Sequence, residues 1–138
     1  MKRSFYSDNS PLLSVVICTY KRPELLRKCL EQVCYKQTVD RNTYEVIVSD
    51  DNSDGITKKM VDQEFPLVKY FKGPEKGFGA NRNNGSKEAR GDWLVFTDDD
   101  CLPESQWLET YYNAITQNTD AKVLEGKTIT DRPQMRFD

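Results

Sequence analysis

The sequence predicts an α/β fold in which a mostly parallel sheet carries helices on both faces. Short apolar segments rich in β-branched residues alternate with segments whose apolar residues recur at helical spacing. The strand segments are apolar throughout instead of alternating with polar residues, which is typical of parallel strands covered on both sides. A chain of 138 residues is long enough to form one such domain with its own core.

The elements follow in order along the chain. The first strand is the apolar run LLSVVIC, and Pro23 after it suits the first turn of a helix. A dense run of turn residues, DDNSDG, ends the second strand, and Gly91 stands where a left-handed residue would end a helix. The predicted strands are 12–18, 44–49, 67–71, 93–97 and 121–130, and the predicted helices begin at Pro23 and Ile56 and span 80–89 and 103–116.

The same patterns place the domain boundaries. We expect one domain over residues 12–130, an N-terminal tail over 1–11 and a polar C-terminal tail over 131–138. The chain contains no repeats and no low-complexity tract. The domain therefore accounts for nearly all of the sequence.

Composition excludes several classes of function. The 20 basic and 22 acidic residues give a net charge of −2, without the basic surplus of a nucleic-acid-binding protein. The first ten residues lack an apolar signal core, and no apolar run is long enough to span a bilayer, so a cytoplasmic location is expected. The chain has no histidine, which excludes Ser-His-Asp and Cys-His catalysis, and its four cysteines do not have zinc-site spacing.

Acidic residues follow two of the predicted strands. Asp50 and Asp51 come after the second strand, and Asp98, Asp99 and Asp100 come after the fourth. In parallel sheets ligands bind beyond the carboxyl ends of the strands, where these residues should meet. Clustered carboxylates repel one another unless a cation neutralises them, and Mg²⁺ and Mn²⁺ prefer oxygen ligands. A metal site is one interpretation; a solvated acidic loop and a helix cap are the others.

A glycine-rich segment, GFGANRN, precedes the fourth strand. It offers a flexible loop, a helix N-terminus and the guanidinium of Arg82, all of which suit an anionic phosphate. The first strand is followed by neither GxGxxG nor GxxxxGK[ST]. The dinucleotide fingerprint and the P-loop are therefore both excluded.

Taken together, these segments resemble the family 2 glycosyltransferases of the GT-A fold. The resemblance runs from about residue 12 to 130 in family order, and it is carried by the segments SVVICTYKRPELLRKCLEQV, EVIVSDDNSDG and GFGANRNNGSKEARGDWLVFTDDDCLP. It implies a Rossmann-like domain that binds a nucleotide-diphosphate sugar, preferably a UDP-sugar, and transfers the sugar with inversion to a hydroxyl of a glycan or lipid-linked saccharide. It also implies a Mn²⁺ or Mg²⁺ cofactor and, for a lipid-linked acceptor, a peripheral position at the inner membrane face.

The resemblance also assigns roles to individual residues. Those assigned to the nucleotide sugar are Cys18 and Tyr20 in the base pocket, Asp50 and Asp51 on the base, Arg82 near the base or phosphates, Asp98 on the ribose or sugar, and Asp99 without a more specific contact. Asp100, with Asp98, matches the metal-binding positions of the family's DxD motif. Lys21 stands where the family often has asparagine.

The resemblance covers only the donor-binding portion of the family. The acceptor-side half, which holds the family's general base, has no counterpart in these 138 residues, so we expect an incomplete or weakly active enzyme. Glu125 and Asp131 lie downstream, but their local sequence does not mark either as that base. A non-catalytic nucleotide-sugar-binding module and a sugar-phosphate nucleotidyltransferase remain the alternatives.

Overall fold

The computed structural model describes residues 11–117 and 120–129. Strands and helices alternate along the chain, as predicted. The strands are β1 (Leu13–Thr19), β2 (Tyr44–Asp50), β3 (Lys69–Lys72) and β4 (Trp93–Asp98), and the helices are α1 (Pro23–Tyr35), α2 (Ile56–Glu64), α3 (Phe78–Ser86) and α4 (Trp107–Gln117), with a 3₁₀ turn at Arg41–Thr43. None of the helices described is long and apolar enough to cross a membrane.

The four strands form a parallel sheet in the order β3-β2-β1-β4. Every residue of β1 and β2 is buried, because these central strands carry apolar side chains on both faces. The chain continues outward on one side of β1 to β3 and then returns to its other side with β4. The carboxyl end of β1 is therefore a topological switch point, where open α/β sheets bind ligands.

Helices cover both faces of the sheet. On one face the core contains residues of β1, β2 and β4 packed with α1, α2 and α4, including Leu26, Leu30, Val61 and Leu108. On the other face α3 lies against the two central strands at Gly85, where a Cβ atom would come within 2.8 Å of Val16 Cγ1. A glycine is needed there because helix and sheet approach closely.

The predicted fifth strand is wrong. Residues 121–129 have no strand hydrogen bonding, and Thr130, the last residue of that prediction, lies outside the described residues, as do residues 1–10 and 131–138. Val123 and Ile129 are 86% and 70% exposed. A strand needs a neighbouring strand for its backbone groups, and among the described residues this segment has none. It lies instead beside α4, where a Cβ at Gly126 would come within 2.8 Å of the Tyr111 hydroxyl.

Gly91 is not the left-handed helix cap that the sequence predicts. α3 ends at Ser86, and among the described glycines a positive φ occurs at Gly55 and Gly77. Gly91 instead lies against β1, where a Cβ would approach the backbone nitrogen of Ser14 to 2.8 Å. The glycine is therefore explained by close packing.

A buried carboxylate holds the loop before β4 to the sheet. Glu45 accepts hydrogen bonds from the hydroxyl of Ser14, the ammonium of Lys69 and the backbone N–H of Arg90, each at 2.6 Å. Burial by itself would raise the pKa of Glu45, but the three donors together lower it. This cluster lies at the amino end of β1, opposite the switch point.

Candidate functional site

The predicted site residues of β1, β2 and β4 meet at one edge of the sheet. The strand register pairs Cys18 with Asp98 and Thr19 with Asp50. This alignment follows from parallel pairing, because the strands end together at the switch point. The two acidic clusters are thus brought to neighbouring positions, as the sequence predicts.

Two adjoining cavities open at this edge. The first is lined by Cys18, Thr19, Tyr20, Arg22, Phe78, Asn81, Asp98, Asp99 and Asp100. The second is lined by Tyr20, Lys21, Asp51, Asn52, Glu75, Gly77 and Phe78. Tyr20 and Phe78 belong to both linings, and their side chains are 53% and 57% exposed. Two exposed aromatic rings therefore stand where the cavities adjoin.

Asp99 is the buried member of the acidic triplet. Its carboxylate accepts a hydrogen bond from the Thr19 hydroxyl at 2.9 Å and lies 3.5 Å from Nε of Arg22. Burial raises its pKa, while the Thr19 hydrogen bond and the Arg22 charge act in the opposite direction. With these partners, Asp99 connects the end of β4 to the end of β1.

Asp98 and Asp100 face outward and lie close to a thiol. One potential ligand atom from each of Asp98, Asp100 and Cys101 lies within 4.8 Å of the others. β4 ends at Asp98, and a turn in which the Cys101 N–H donates to the Asp98 carbonyl follows it. The two aspartates therefore come together through a turn. Carboxylate oxygens suit Mn²⁺ and Mg²⁺, so Asp98 and Asp100 fit the metal that the resemblance implies.

Asp51 borders the second cavity. Its Oδ1 accepts the backbone N–H of Glu75 at 2.9 Å, which fixes the loop between β3 and α3. Gly73 in that loop approaches so closely that a Cβ would lie 2.2 Å from Asp51 Oδ1 and 2.5 Å from Asn81 Oδ1. The second carboxylate oxygen has no hydrogen bond among those found for the described residues, and Asp51, although largely buried, belongs to the lining of the cavity.

Asp50 is turned away from both cavities. Its carboxylate is buried and accepts hydrogen bonds from the Tyr70 hydroxyl at 2.5 Å and the Asn52 N–H at 3.0 Å. Burial raises the pKa of Asp50, although the Tyr70 hydrogen bond lowers it. The same burial and hydrogen bond raise the pKa of Tyr70. A direct contact of Asp50 with a base stays a prediction.

Cys18 lines the first cavity, and Arg82 lies behind Phe78 of the same lining without belonging to it. The Arg82 guanidinium stacks over Phe78 at 4.7 Å and over Phe96 at 5.0 Å. Burial raises the pKa of the Cys18 thiol to about 11, with Arg82 opposing the shift. Cys18 is thus a neutral wall of the cavity at physiological pH.

Several residues of the site were not predicted from the sequence. Asn81 is buried; its amide group donates to the Ser49 carbonyl at 3.0 Å and the Thr19 carbonyl at 3.4 Å, and its carbonyl accepts the Ser49 hydroxyl at 2.6 Å. It ties α3 to the ends of β1 and β2. A signal was present, since Asn81 lies one turn before Gly85 on the same face of the helix. Arg22, Phe78 and Cys101 were missed because no motif marks them.

Comparison with known proteins identifies the family. Residues 14–130 match the family model described as Glycosyl transferase family 2, which is well over half of the chain. The chain belongs to this family. Its fold is accordingly the α/β GT-A fold that the sequence predicts.

Named relatives of this glycosyltransferase family 2 chain are longer proteins. A Campylobacter jejuni GalNAc(5)-diNAcBac-PP-undecaprenol beta-1,3-glucosyltransferase is 38% identical over 95 residues, which cover 65% of this chain and 30% of that protein. The S. aureus TarS crystal structure in complex with UDP-GlcNAc has a TM-score of 0.70 and 25% identity, covering 86% of this chain and 37% of that one. The Pyrobaculum calidifontis mannosyltransferase PcManGT, in complex with GDP-Man and Mn²⁺, has a TM-score of 0.63 and 26% identity, covering 77% and 32%. The chain thus spans about a third of the length of these relatives.

Proposed function

We propose that this chain is the donor-binding portion of an inverting glycosyltransferase that uses a nucleoside-diphosphate sugar. The observation that carries the proposal is the pair of adjoining cavities at the switch point. Asp51 borders one cavity, and Asp98 and Asp100 border the other. Family membership supports glycosyl transfer over the nucleotidyltransferase alternative, and the missing phosphate loop after β1 agrees with it.

The two cavities suggest how the donor lies. The base enters the second cavity, where the free oxygen of Asp51 accepts a base N–H or a hydroxyl. The ribose passes between Tyr20 and Phe78, whose exposed rings offer stacking surfaces to the base. The diphosphate and the sugar then lie in the first cavity, whose lining includes Asp98, Asp99 and Asp100, with Arg82 close by over Phe78. Cys18 lines this same cavity, so we assign it to the phosphate side and not to the base pocket that the resemblance implies.

A divalent cation would be held by Asp98 and Asp100, with Cys101 beside them. When bound, it supplies positive charge that neutralises the departing diphosphate. Carboxylates engaged with a cation are poor proton acceptors, so we assign the aspartates to the donor and not to the acceptor hydroxyl. The Mn²⁺ in the PcManGT complex supports this cofactor.

The donor base and the acceptor are proposed from the relatives. The TarS complex with UDP-GlcNAc supports a UDP-sugar, and the GDP-Man complex of PcManGT makes GDP the competing base. The name of the Campylobacter jejuni relative supports a lipid-linked saccharide as acceptor. With such an acceptor the protein would act as a peripheral enzyme at the inner face of the membrane, a position that agrees with the cytoplasmic location expected from the sequence.

Titration calorimetry with UDP, GDP and dTDP tests the proposal, each with Mn²⁺ and with EDTA. We expect one nucleotide to bind, with higher affinity in Mn²⁺ than in EDTA. Asp100→Ala should abolish the gain from Mn²⁺, whereas Asp92→Ala, an exposed aspartate before β4, should not. Failure of all three nucleotides to bind would exclude the donor site, and equal affinity with and without metal would exclude the cation.

A further inference from the structure

Arg22 already places a positive charge against the acidic triplet in this structure. Its Nε lies 3.5 Å from Asp99 Oδ2, and its Nη1 lies 3.5 Å from Asp100 Oδ2. The guanidinium therefore bridges two neighbouring carboxylates. Asp100 is also one of the groups whose oxygens lie together with those of Asp98 as potential metal ligands. One carboxylate thus faces two possible cations.

The backbone of Arg22 is fixed while its side chain is loosely held. Arg22 is the N-cap of α1, between Lys21 with a φ of +54° and Pro23, and its carbonyl accepts the N–H of Leu26 at 3.0 Å. The side chain is 51% exposed. Its two contacts, at 3.5 Å, are longer than the roughly 2.7–2.9 Å of strong charge-assisted hydrogen bonds. Breaking them should therefore cost little.

We propose that Arg22 is a built-in counter-ion of the Asp99–Asp100 pair. A divalent cation that binds Asp100 displaces the Arg22 guanidinium from it, and the guanidinium then faces the diphosphate of the donor. This inference rests on the proposed function. Arg22 lines the first cavity, so a side chain released from Asp100 stays beside the phosphates. A guanidinium presents several N–H groups in a plane and suits phosphate oxygens well.

Arg22 therefore has opposite effects on the binding of the metal alone and on the binding of the nucleotide. Before the donor arrives, the guanidinium competes with the cation for Asp100 and weakens the binding of the metal alone. Once the metal and nucleotide are bound together, it strengthens the binding of the nucleotide. Arg22 is a positioning residue in the first state and a ligand contact in the second.

The experiment compares the wild-type chain with Arg22→Lys, Arg22→Gln and the control Lys28→Gln. Lys28 is an exposed lysine of α1, so its variant removes one positive charge without touching the acidic triplet. Binding of Mn²⁺ alone is measured by electron paramagnetic resonance, and UDP binding at saturating Mn²⁺ by calorimetry. Thermal melts of all four proteins check that the fold is intact.

We expect both Arg22 variants to bind Mn²⁺ alone more tightly, by about two- to fivefold, the range of an exposed ion pair. Both should bind UDP with Mn²⁺ more weakly, and Lys28→Gln should match the wild type. Arg22→Lys distinguishes a role of the guanidinium geometry from a role of the positive charge alone, because lysine keeps the charge but lacks the planar guanidinium group. If Arg22→Lys behaves as wild type, or neither variant changes Mn²⁺ binding, the role of Arg22 is overturned while the donor site stands. A wild-type chain that binds neither Mn²⁺ nor any of UDP, GDP and dTDP overturns the proposed function and this inference together.

Discussion

Thr19 donates its hydroxyl hydrogen to Asp99 at 2.9 Å, across 80 positions of sequence. Thr19 is the last residue of β1 and Asp99 directly follows β4, so this hydrogen bond connects the ends of the two strands beside the acidic triplet. Because both side chains are buried, the bond holds the middle aspartate inward and leaves its two neighbours facing outward. The middle aspartate therefore differs in environment from its two neighbours and should respond differently to substitution.

Substitution of Asp99 and Asp100 should separate structural from ligand-binding carboxylates. Asp99→Ala leaves the buried Thr19 hydroxyl without its partner and should lower the free energy of unfolding by about 1–3 kcal/mol. Asp99→Asn keeps an acceptor and should be nearly neutral. Asp100→Ala removes an exposed charge from a repelling cluster and should leave stability unchanged or slightly higher. Urea denaturation measures all three, and a large loss with Asp100→Ala would make Asp100 a structural residue.

Asp51→Ala should weaken nucleotide binding in Mn²⁺ and in EDTA alike, because its proposed partner is the base and not the cation. We expect a loss of about tenfold or more, equivalent to about 1.4 kcal/mol or more for a hydrogen bond to a charged group. Calorimetry in both buffers measures it, with the exposed Asp92→Ala as control. A loss confined to the Mn²⁺ buffer would assign Asp51 to the metal instead.

Glu45 should make stability depend on acid pH. Its pKa is lowered in the folded protein from an ordinary value of 4.5, so its stabilising contribution is complete above that value and is lost as the pH falls through the folded pKa. Glu45→Gln should therefore be less stable at pH 7, by about 1–3 kcal/mol, and should lose less stability than the wild type below pH 4.5. Urea melts across this range test it, and the exposed Glu104→Gln should follow the wild-type curve.

Two glycines of α3 should respond in opposite directions to alanine. A Cβ at Gly85 would meet Val16 Cγ1 at 2.8 Å and Ser49 Cβ at 3.3 Å, whereas a Cβ at Gly79 meets nothing within 4 Å. Gly85→Ala should destabilise by about 1–3 kcal/mol through overpacking. Gly79→Ala should be neutral or stabilising by up to about 1 kcal/mol, because alanine favours the helix. Thermal unfolding compares them, and a stable Gly85→Ala would mean that α3 can move away from the sheet.

The order of strands and helices could be predicted because local patterns specify it. The apolar runs that form β1 and β2 and the proline that begins α1 needed no tertiary information. The prediction of a fifth strand was wrong for the opposite reason. Whether residues 121–129 form a strand depends on a neighbouring strand with which they can pair, and their own sequence carries no information about that neighbour. The prediction that Gly91 ends a helix was wrong for a similar reason, because Ser14, the residue that Gly91 approaches, lies 77 positions earlier in the chain.

For the site, local patterns are enough to predict which chemical groups gather at the switch point. Carboxylates that directly follow parallel strands must meet at one edge, so Asp51, Asp98 and Asp100 could be placed there from strand order alone. The contacts that each group makes there could not be predicted in this way, because they depend on how the elements pack. Burial and hydrogen bonding turn Asp50 towards Tyr70 and Asp99 towards Thr19, and they bring Arg22 against the triplet. These orientations depend on contacts with side chains that are distant in sequence, and those contacts form only when the sheet and the helices pack.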